Sequence, residues 1–487
     1  MKTGVNLTAA RSSLFFSTCH LIRHFLVNRE KQKLFPATVK CRNRRSHRGL
    51  PLSLALALAF NLPTAIYADN DLTTVGAERA GNADGSIPPW EGGINQPPDG
   101  YQTGQQHPDP FSGDASLFTI DHTNAAEYGD KLSAGHKALL TKYPNTYKLL
   151  AYPSRRSASH PQWVLDQTRQ FTQARITDNG AGVEGVLAGV PFPQPDNGQQ
   201  AIWNSLLSYK GGGIRRYVNT ATVNGDGDYV LNVARQEIEY PHQLENMTED
   251  KLDNILTRGI TVVEAPPKIA GTLALFHVQL NSKDSERKTW AYARGKRRVI
   301  RAPILTSDSP MSVSEGVHLF DQAGMFNGPI TRFDWQLLGK KELYIPYNAY
   351  RLHSDATAIE TIIQPRHINP ELSRYELHRV WVVEAKRKAD IKHIHQRRVY
   401  YLDEDSWRIV LAEHYDDAGK LDRFSESHHI NYYEVPVLLS TLDVYYKLDQ
   451  DKYFVSGLDN QHPVNDFSFR EKPGYYTPNN LKRKAVR

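Results

Sequence analysis

Apolar and polar residues follow a helical period in the first half of the chain and a strand period in the second. Three segments with helical spacing are "NAAEYGDKLSAGHKALLTKYP", "HPQWVLDQTRQFTQA" and "NGQQAIWNSLLSY", and each predicts a helix. The residues expected on the buried sides of the first and third helices are Ala126, Leu132, Leu139, Leu140, Ile202, Leu206 and Tyr209.

From about Arg215 onward, apolar and polar residues alternate between turn residues, which is typical of antiparallel strands. Turns are expected near 388–390, 403–406 and 416–420. A large sheet must cover its apolar face, and the predicted helices are the available cover. The predicted fold is α+β and mainly β: a large curved antiparallel sheet that forms an open, half β-barrel under a few helices.

The composition divides the chain into four parts. Residues 1–68 have the layout of a secretory signal, residues 69–125 form an extended Gly/Pro-rich arm, residues 126–465 form the sheet domain, and residues 466–487 form a polar, basic tail that we expect to be loose. The length of the first part suggests a translation start downstream of Met1.

The signal consists of the basic "CRNRRSHRG", the apolar "LPLSLALALAFNLP" and the small residue Ala68. This order predicts cleavage after Ala68 and export to the periplasm. The apolar run is shorter than the ~20 residues of a spanning helix, so no transmembrane segment is expected in the mature chain. The alternative is a retained membrane anchor.

Removing the signal changes the charge of the protein. The whole chain has 59 Lys and Arg against 53 Asp and Glu, but residues 1–68 hold eleven of the basic residues and one acid, Glu30. The remaining 48 basic and 52 acidic residues give a formal charge of −4. An acidic mature chain argues against nucleic acid as a partner.

Candidate chemistry is sparse. Both cysteines, Cys19 and Cys41, precede the expected cleavage site, so thiol catalysis, Cys–zinc sites and a lipidated N-terminal Cys are excluded from the mature protein. The segment "NGDGDY" resembles a calcium loop but lacks the required Gly and the closing Glu. His393 and His395 could be metal ligands, but the cations that surround them in the sequence would repel a metal ion. Without a recognised catalytic motif, we expect neither an enzyme nor a metal or cofactor.

The stretch "RKTWAYARGKRRVIRAP", 287–303, predicts a hairpin with Gly295 at its turn. Trp290 and Tyr292 share one face of it, and basic residues lie beside or opposite them. One interpretation is a core-facing aromatic pair with a solvated basic edge that deters aggregation. Another is an apolar cavity rimmed by Arg that suits an amphiphile with an acidic head group.

Several motifs carry a family resemblance: "TTVGAERAGNADGSIPPWEGG", "YPSRRSASHPQWV", "FNGPITRFDWQLLGKKELYIPYNAY", "HINPELSRYELHRVWVVEA" and "YYLDEDSWRIVLAEHYD". With these, the chain resembles the exported domain-of-unknown-function family 1329 from about Asp69 to Asp459. That resemblance implies a fold similar to the outer-membrane lipoprotein carriers LolA and LolB, an open β-barrel lined with apolar side chains. It implies no active-site residues.

The resemblance and the hairpin together predict a periplasmic carrier of a hydrophobic amphiphile, either lipid or lipoprotein. The family's gene neighbourhood implies a resistance-nodulation-division exporter and an outer-membrane protein as partners. The expected cavity wall comprises Trp290, Tyr292, Trp381 (or Val380 in the other parity), Tyr401 and Ile409. The residues expected to contact a head group or a partner are Arg297, Arg298 and Arg301.

Two other functions remain open. The 25 Tyr and 7 Trp residues would suit a polysaccharide-binding or polysaccharide-active protein with an open aromatic groove beside paired carboxylates, such as Asp403 and Asp405. We interpret these two instead as turn residues whose side chains bond to the backbone. A structural adaptor of an envelope transport complex would have a packed interior.

Overall fold

The computed structural model describes residues 71–293, 297–302 and 307–486. The predicted signal and the turn at Gly295 lie outside these residues. The helices are α1 (Ala134–Lys142), α2 (Gln162–Gln170), α3 (Gly198–Leu207), α4 (Tyr350–His353), α5 (Ile359–Ile362) and α6 (Pro478–Val486).

The strands of the N-terminal half are β1 (Phe118–Ile120), β2 (Leu149–Tyr152), β3 (Arg175–Thr177), β4 (Gly182–Glu184), β5 (Gly213–Val223), β6 (Asn232–Glu239), β7 (Ile255–Ala265), β8 (Leu273–Gln279), β9 (Arg287–Ala293) and β10 (Arg298–Arg301). Those that follow are β11 (Phe333–Pro346), β12 (Tyr375–Arg387), β13 (Arg397–Asp403), β14 (Ile409–Tyr415), β15 (Leu421–Tyr432), β16 (Val437–Lys447) and β17 (Lys452–Gly457).

Fifteen strands form one sheet in the order β1-β2-β12-β13-β14-β15-β16-β17-β5-β6-β7-β8-β9-β10, with β11 on the other edge of β12. Within the described residues the pairing does not return from β10 to β11 or β1, so the sheet stays open, as predicted. One pair departs from the antiparallel expectation: β2 lies parallel to β12 at Tyr375 and Glu376. A long crossover separates these two strands, as a parallel pair requires.

The central strands bury both faces of the sheet. Along β12, Val380 and Val382 belong to one apolar cluster, and Val383 and Ala385 belong to a second. Helix α1 covers the first cluster with Leu139 and Leu140, and α3 covers the second with Ala201, Ile202, Trp203 and Leu207. Strands that are apolar on both faces need cover on both, and the helices provide part of it.

Helix α1 is shorter than its apolar pattern predicts. It begins at Ala134 because Ser133 caps it, accepting a hydrogen bond from the backbone N–H of His136 at 3.1 Å. The preceding residues 129–131 form a separate 3₁₀ turn. Leu132, Leu139 and Leu140 are buried as predicted, but Ala126 lies before this turn and is exposed.

The end of the chain is not a loose tail. Helix α6 buries Leu481 against the outer face of β7–β9, where a third cluster contains Ile260, Leu275 and Tyr292. The sequence of α6 is mostly polar and suggests solvation, but its one fully buried leucine is enough to dock it.

Candidate functional site

A cavity of about 470 Å³ lies between α3 and the strands β7–β10. We call it the strand–helix cavity. Its volume falls within the roughly 300–1,000 Å³ of ligand pockets. Its apolar lining comes from α3, β7, β8 and the 320–330 loop, and consists of Trp203, Leu206, Leu256, Val278, Phe320 and Ile330.

Local sequence patterns place these side chains. Trp203 and Leu206 are three residues apart on α3 and therefore lie on one side of the helix. Asn197 caps this helix by accepting from the backbone N–H of Gln200 at 3.0 Å. On β9, Arg287 and Thr289 point into the cavity, whereas Trp290 and Tyr292 point away from it, because successive side chains alternate in a strand.

Arg287 is the least exposed cation among the residues that line the cavity. Its Nη2 donates to Oδ1 of Asn327 at 2.5 Å, and its guanidinium carbon lies 4.5 Å from the centre of the Phe320 ring. Burial lowers the pKa of Arg287 to about 10, which leaves it protonated at neutral pH. No carboxylate of the described residues lies within ion-pair distance of it.

The rim of the cavity is charged and more exposed. Arg301 lines it from β10. Lys283 is paired with Asp178 at 2.8 Å, and Glu286 is paired with Arg332 at 3.5 Å. Lys283 is thus neutralised, whereas Arg287 and the exposed rim residue Arg301 are cations of the lining without a carboxylate partner among the described residues. Asp284 is an exposed carboxylate at the rim.

The structure does not bring the five predicted wall residues together. Trp290 and Tyr292 pack with the third cluster, under α6. Trp381 and Ile409 belong to the cluster beneath α3, and Tyr401 lies on the opposite face of the sheet. None of the five is among the residues that line the strand–helix cavity.

The three predicted head-group residues are also separated. Arg297 and Arg298 are exposed and do not line the cavity, whereas Arg301 does. The sequence pattern missed Arg287, which opens the same basic stretch. The signal that could have found Arg287 was the alternation along β9, which places it on the same face as Thr289 and on the opposite face from Trp290.

A second constellation surrounds the acidic turn, formed by Asp403, Glu404 and Asp405 between β13 and β14. All three side chains are buried. The interpretation that the two Asp side chains bond to the backbone is wrong: the carboxylate of Asp405 pairs with Arg156, and that of Asp403 accepts from the hydroxyl groups of Tyr347 and Ser406. The residues that bury this turn are far from it in the sequence, so a local sequence pattern does not reveal them.

The acidic turn also brings together three potential metal ligands. Ligand atoms of His378, Asp403 and Asp405 lie within 4.8 Å of one another. However, Arg156 occupies both oxygens of Asp405, and the cations of Arg379 and Lys340 contact Glu404 at 3.4 and 2.9 Å. These three cations would repel a metal ion, so the arrangement favours an internal charge network.

The comparisons with known proteins identify the family. A family model described as "Protein of unknown function (DUF1329)" matches residues 119–482, and the chain belongs to this family, as its motifs predicted. The uncharacterized protein PA3922 of Pseudomonas aeruginosa is 37% identical over 449 residues, which cover 91% of this chain and 98% of that protein.

Solved structures with some similarity include a DUF1329 family protein from Desulfovibrio piger, with a TM-score of 0.39 and 11% identity over 55% of this chain and 91% of that one. Another is the LolA superfamily protein NE2245 from Nitrosomonas europaea, with a TM-score of 0.35 and 14% identity over 58% of this chain and 98% of that one. At scores this low, the function must be argued from the chain's own cavity. Across the described ranges, no helix is long and apolar enough to cross a membrane.

Proposed function

We propose that the protein carries a hydrophobic or amphiphilic molecule across the periplasm and does not catalyse a reaction. The observation that carries this proposal is the strand–helix cavity, a space of about 470 Å³ with apolar side chains from α3, β7 and β8 in its lining. A packed interior would favour the structural adaptor, and an open aromatic groove would favour the polysaccharide protein. Asp403 and Asp405 are buried, so they cannot serve as the exposed paired carboxylates that the polysaccharide function would need.

The energetics of transfer explain why such a cavity is useful. Each buried methylene is worth ~0.8 kcal/mol, so a sixteen-carbon chain needs on the order of 12 kcal/mol to leave a membrane for water. An apolar cavity returns most of this free energy, and handover to a partner then becomes nearly thermoneutral.

The location and partners are part of the same proposal. The predicted signal supports a periplasmic carrier, and the gene neighbourhood implied by the family resemblance supports an exporter of the resistance-nodulation-division type and an outer-membrane protein as its partners. Among the described residues no nucleotide-binding motif is present, so the partner would supply the energy for directed transfer.

The test begins with native mass spectrometry and organic extraction of the protein purified from the periplasm without detergent. A stoichiometric amphiphile is expected. The delipidated protein should then bind the neutral fluorescent dye N-phenyl-1-naphthylamine.

Leu206→Trp places a larger side chain in the cavity and should weaken dye binding. The matched control is Leu338→Trp, since Leu338 is 49% exposed on β11 and away from the cavity. A protein without extractable amphiphile that also fails to bind the dye would refute the carrier proposal and favour the adaptor.

A further inference from the structure

The strand–helix cavity contains a guanidinium whose hydrogen-bonding capacity the described residues do not satisfy. Arg287 has five N–H donors on its guanidinium, and the acceptor that faces it is the Oδ1 of Asn327. Both residues line the same cavity.

Arginines that are more buried than the half-buried Arg287 have stronger partners. Arg156 pairs with Asp405 and Arg398 with Asp321, each at 2.6 Å. Arg408 has no carboxylate partner among the described residues, but it donates to the backbone carbonyls of Leu438 and Tyr209. Burying a guanidinium is costly unless it is paired and hydrogen-bonded. Among the described residues Arg287 has one amide acceptor, which leaves room for an anionic oxygen.

The surroundings of Arg287 define the shape of the missing partner. The ring of Phe320 lies beside the guanidinium, and Val278 is the cross-strand partner of Arg287. Thr289 and the apolar Leu256 line the same cavity. An anionic group bound at Arg287 would therefore lie next to an apolar surface. Charge-assisted hydrogen bonds from a guanidinium to carboxylate or phosphate are strong and directional.

The geometry points to an anionic amphiphile as the ligand, with its carboxylate or phosphate oxygens at Arg287 and its apolar chain against Leu206, Leu256 and Val278. This inference rests on the proposed carrier function and adds the charge class of the cargo to it. Arg301 at the rim favours the approach of an anion.

Competition for the bound dye tests this inference. The delipidated protein is loaded with N-phenyl-1-naphthylamine and titrated with hexadecanoate, hexadecyl phosphate and hexadecan-1-ol, which share one chain and differ in their head groups. At least one of the anions should displace the dye at about a tenfold lower concentration than the alcohol, as expected for one additional charged hydrogen bond. The anion with the lower displacement concentration identifies the head group.

Two variants locate the effect. Arg287→Gln should bring the anions and the alcohol to nearly equal displacement concentrations. Arg298→Gln is the control, because Arg298 is exposed on the neighbouring strand and does not line the cavity, and it should keep the wild-type ratio.

The outcomes separate the two proposals. Equal displacement by the anions and the alcohol in the wild-type protein, or an unchanged ratio in Arg287→Gln, would overturn the anionic assignment while the carrier function stands. If the protein yields no amphiphile and does not bind the dye, or if Leu206→Trp leaves the dye affinity unchanged, the carrier function itself fails.

Discussion

Arg156 and Asp405 form a bidentate ion pair inside the protein, with Nε–Oδ2 and Nη2–Oδ1 distances of 2.9 and 2.6 Å. Both side chains are at least 97% buried. The pair joins the segment before α2 to the acidic turn, and Arg156 also reaches the carbonyl of Pro88 in the N-terminal arm at 3.4 Å. This contact ties three distant parts of the chain together.

Arg156→Met should destabilise the protein strongly, because it leaves Asp405 buried without its cation. Removing one partner of a buried ion pair costs about 3–5 kcal/mol, to be measured as the free energy of unfolding in urea. Arg169→Met is the control. Arg169 pairs with Asp166 on the surface of α2, where the effect should stay below about 1 kcal/mol. Similar losses in both variants would show that the interior pair contributes no more than a surface pair.

Asp403→Asn should change how stability depends on pH. Burial, with a further contribution from the charge of Asp405, raises the pKa of Asp403 from 3.8 to about 6. Between these values the folded protein holds a proton that the unfolded chain has released, so this contribution to stability is present at low pH and is lost as pH rises through about 6.

The asparagine side chain does not ionise in this range. The stability of wild type relative to Asp403→Asn should therefore fall by on the order of 2 kcal/mol between about pH 4 and 7, measured by urea unfolding at each pH. A difference that does not change with pH would show that Asp403 titrates normally in the fold.

Gly135→Ala should lower the melting temperature, although alanine favours helices. A Cβ at Gly135 in α1 would lie 1.9 Å from Cδ2 of Phe424 on β15. Overpacking of this kind costs about 1–3 kcal/mol, more than the gain of about 1 kcal/mol in helix propensity. Gly113→Ala is the matched control, because no atom lies within 4 Å of a Cβ there. Equal melting temperatures would mean that α1 shifts away from the sheet at little cost.

Leu481→Ala should destabilise the protein, because Leu481 is fully buried beneath α6. The expected loss is about 2–5 kcal/mol in urea unfolding. Leu117→Ala makes the same chemical change where the side chain is 62% exposed and should have little effect. An unchanged midpoint for Leu481→Ala would restore the expectation of a loose tail.

The alternation of residues predicted much of the sheet and part of the site. It correctly placed Trp290 and Tyr292 on one face of β9, although it missed Arg287, which the same alternation places with Thr289 on the other face. It did not determine which face lines the cavity, because apolar cover lies on both sides of the strand. One cover is α3, and the other is α6, at the far end of the chain.

The acidic turn shows a different limit. The residues at 403–406 correctly predicted a turn between two strands. Turn residues are usually solvated, and their burial here depends on Arg156, Lys340 and Arg379 from three other segments. Local spacing does not encode those long-range ion pairs, so both the burial and the raised pKa of Asp403 became evident only from the structure.

The docking of α6 on the outer face of β7–β9 has a consequence for the timing of folding. The strands that form one wall of the cavity are made long before the residues that cover their other side. Without α6, Tyr292 and Leu275 would lose Leu481 from their cluster, while Phe469 and Tyr476 would remain. The strands that form one wall of the cavity are thus covered on their other face by a segment made much later, and part of that apolar face would stay exposed until α6 docks.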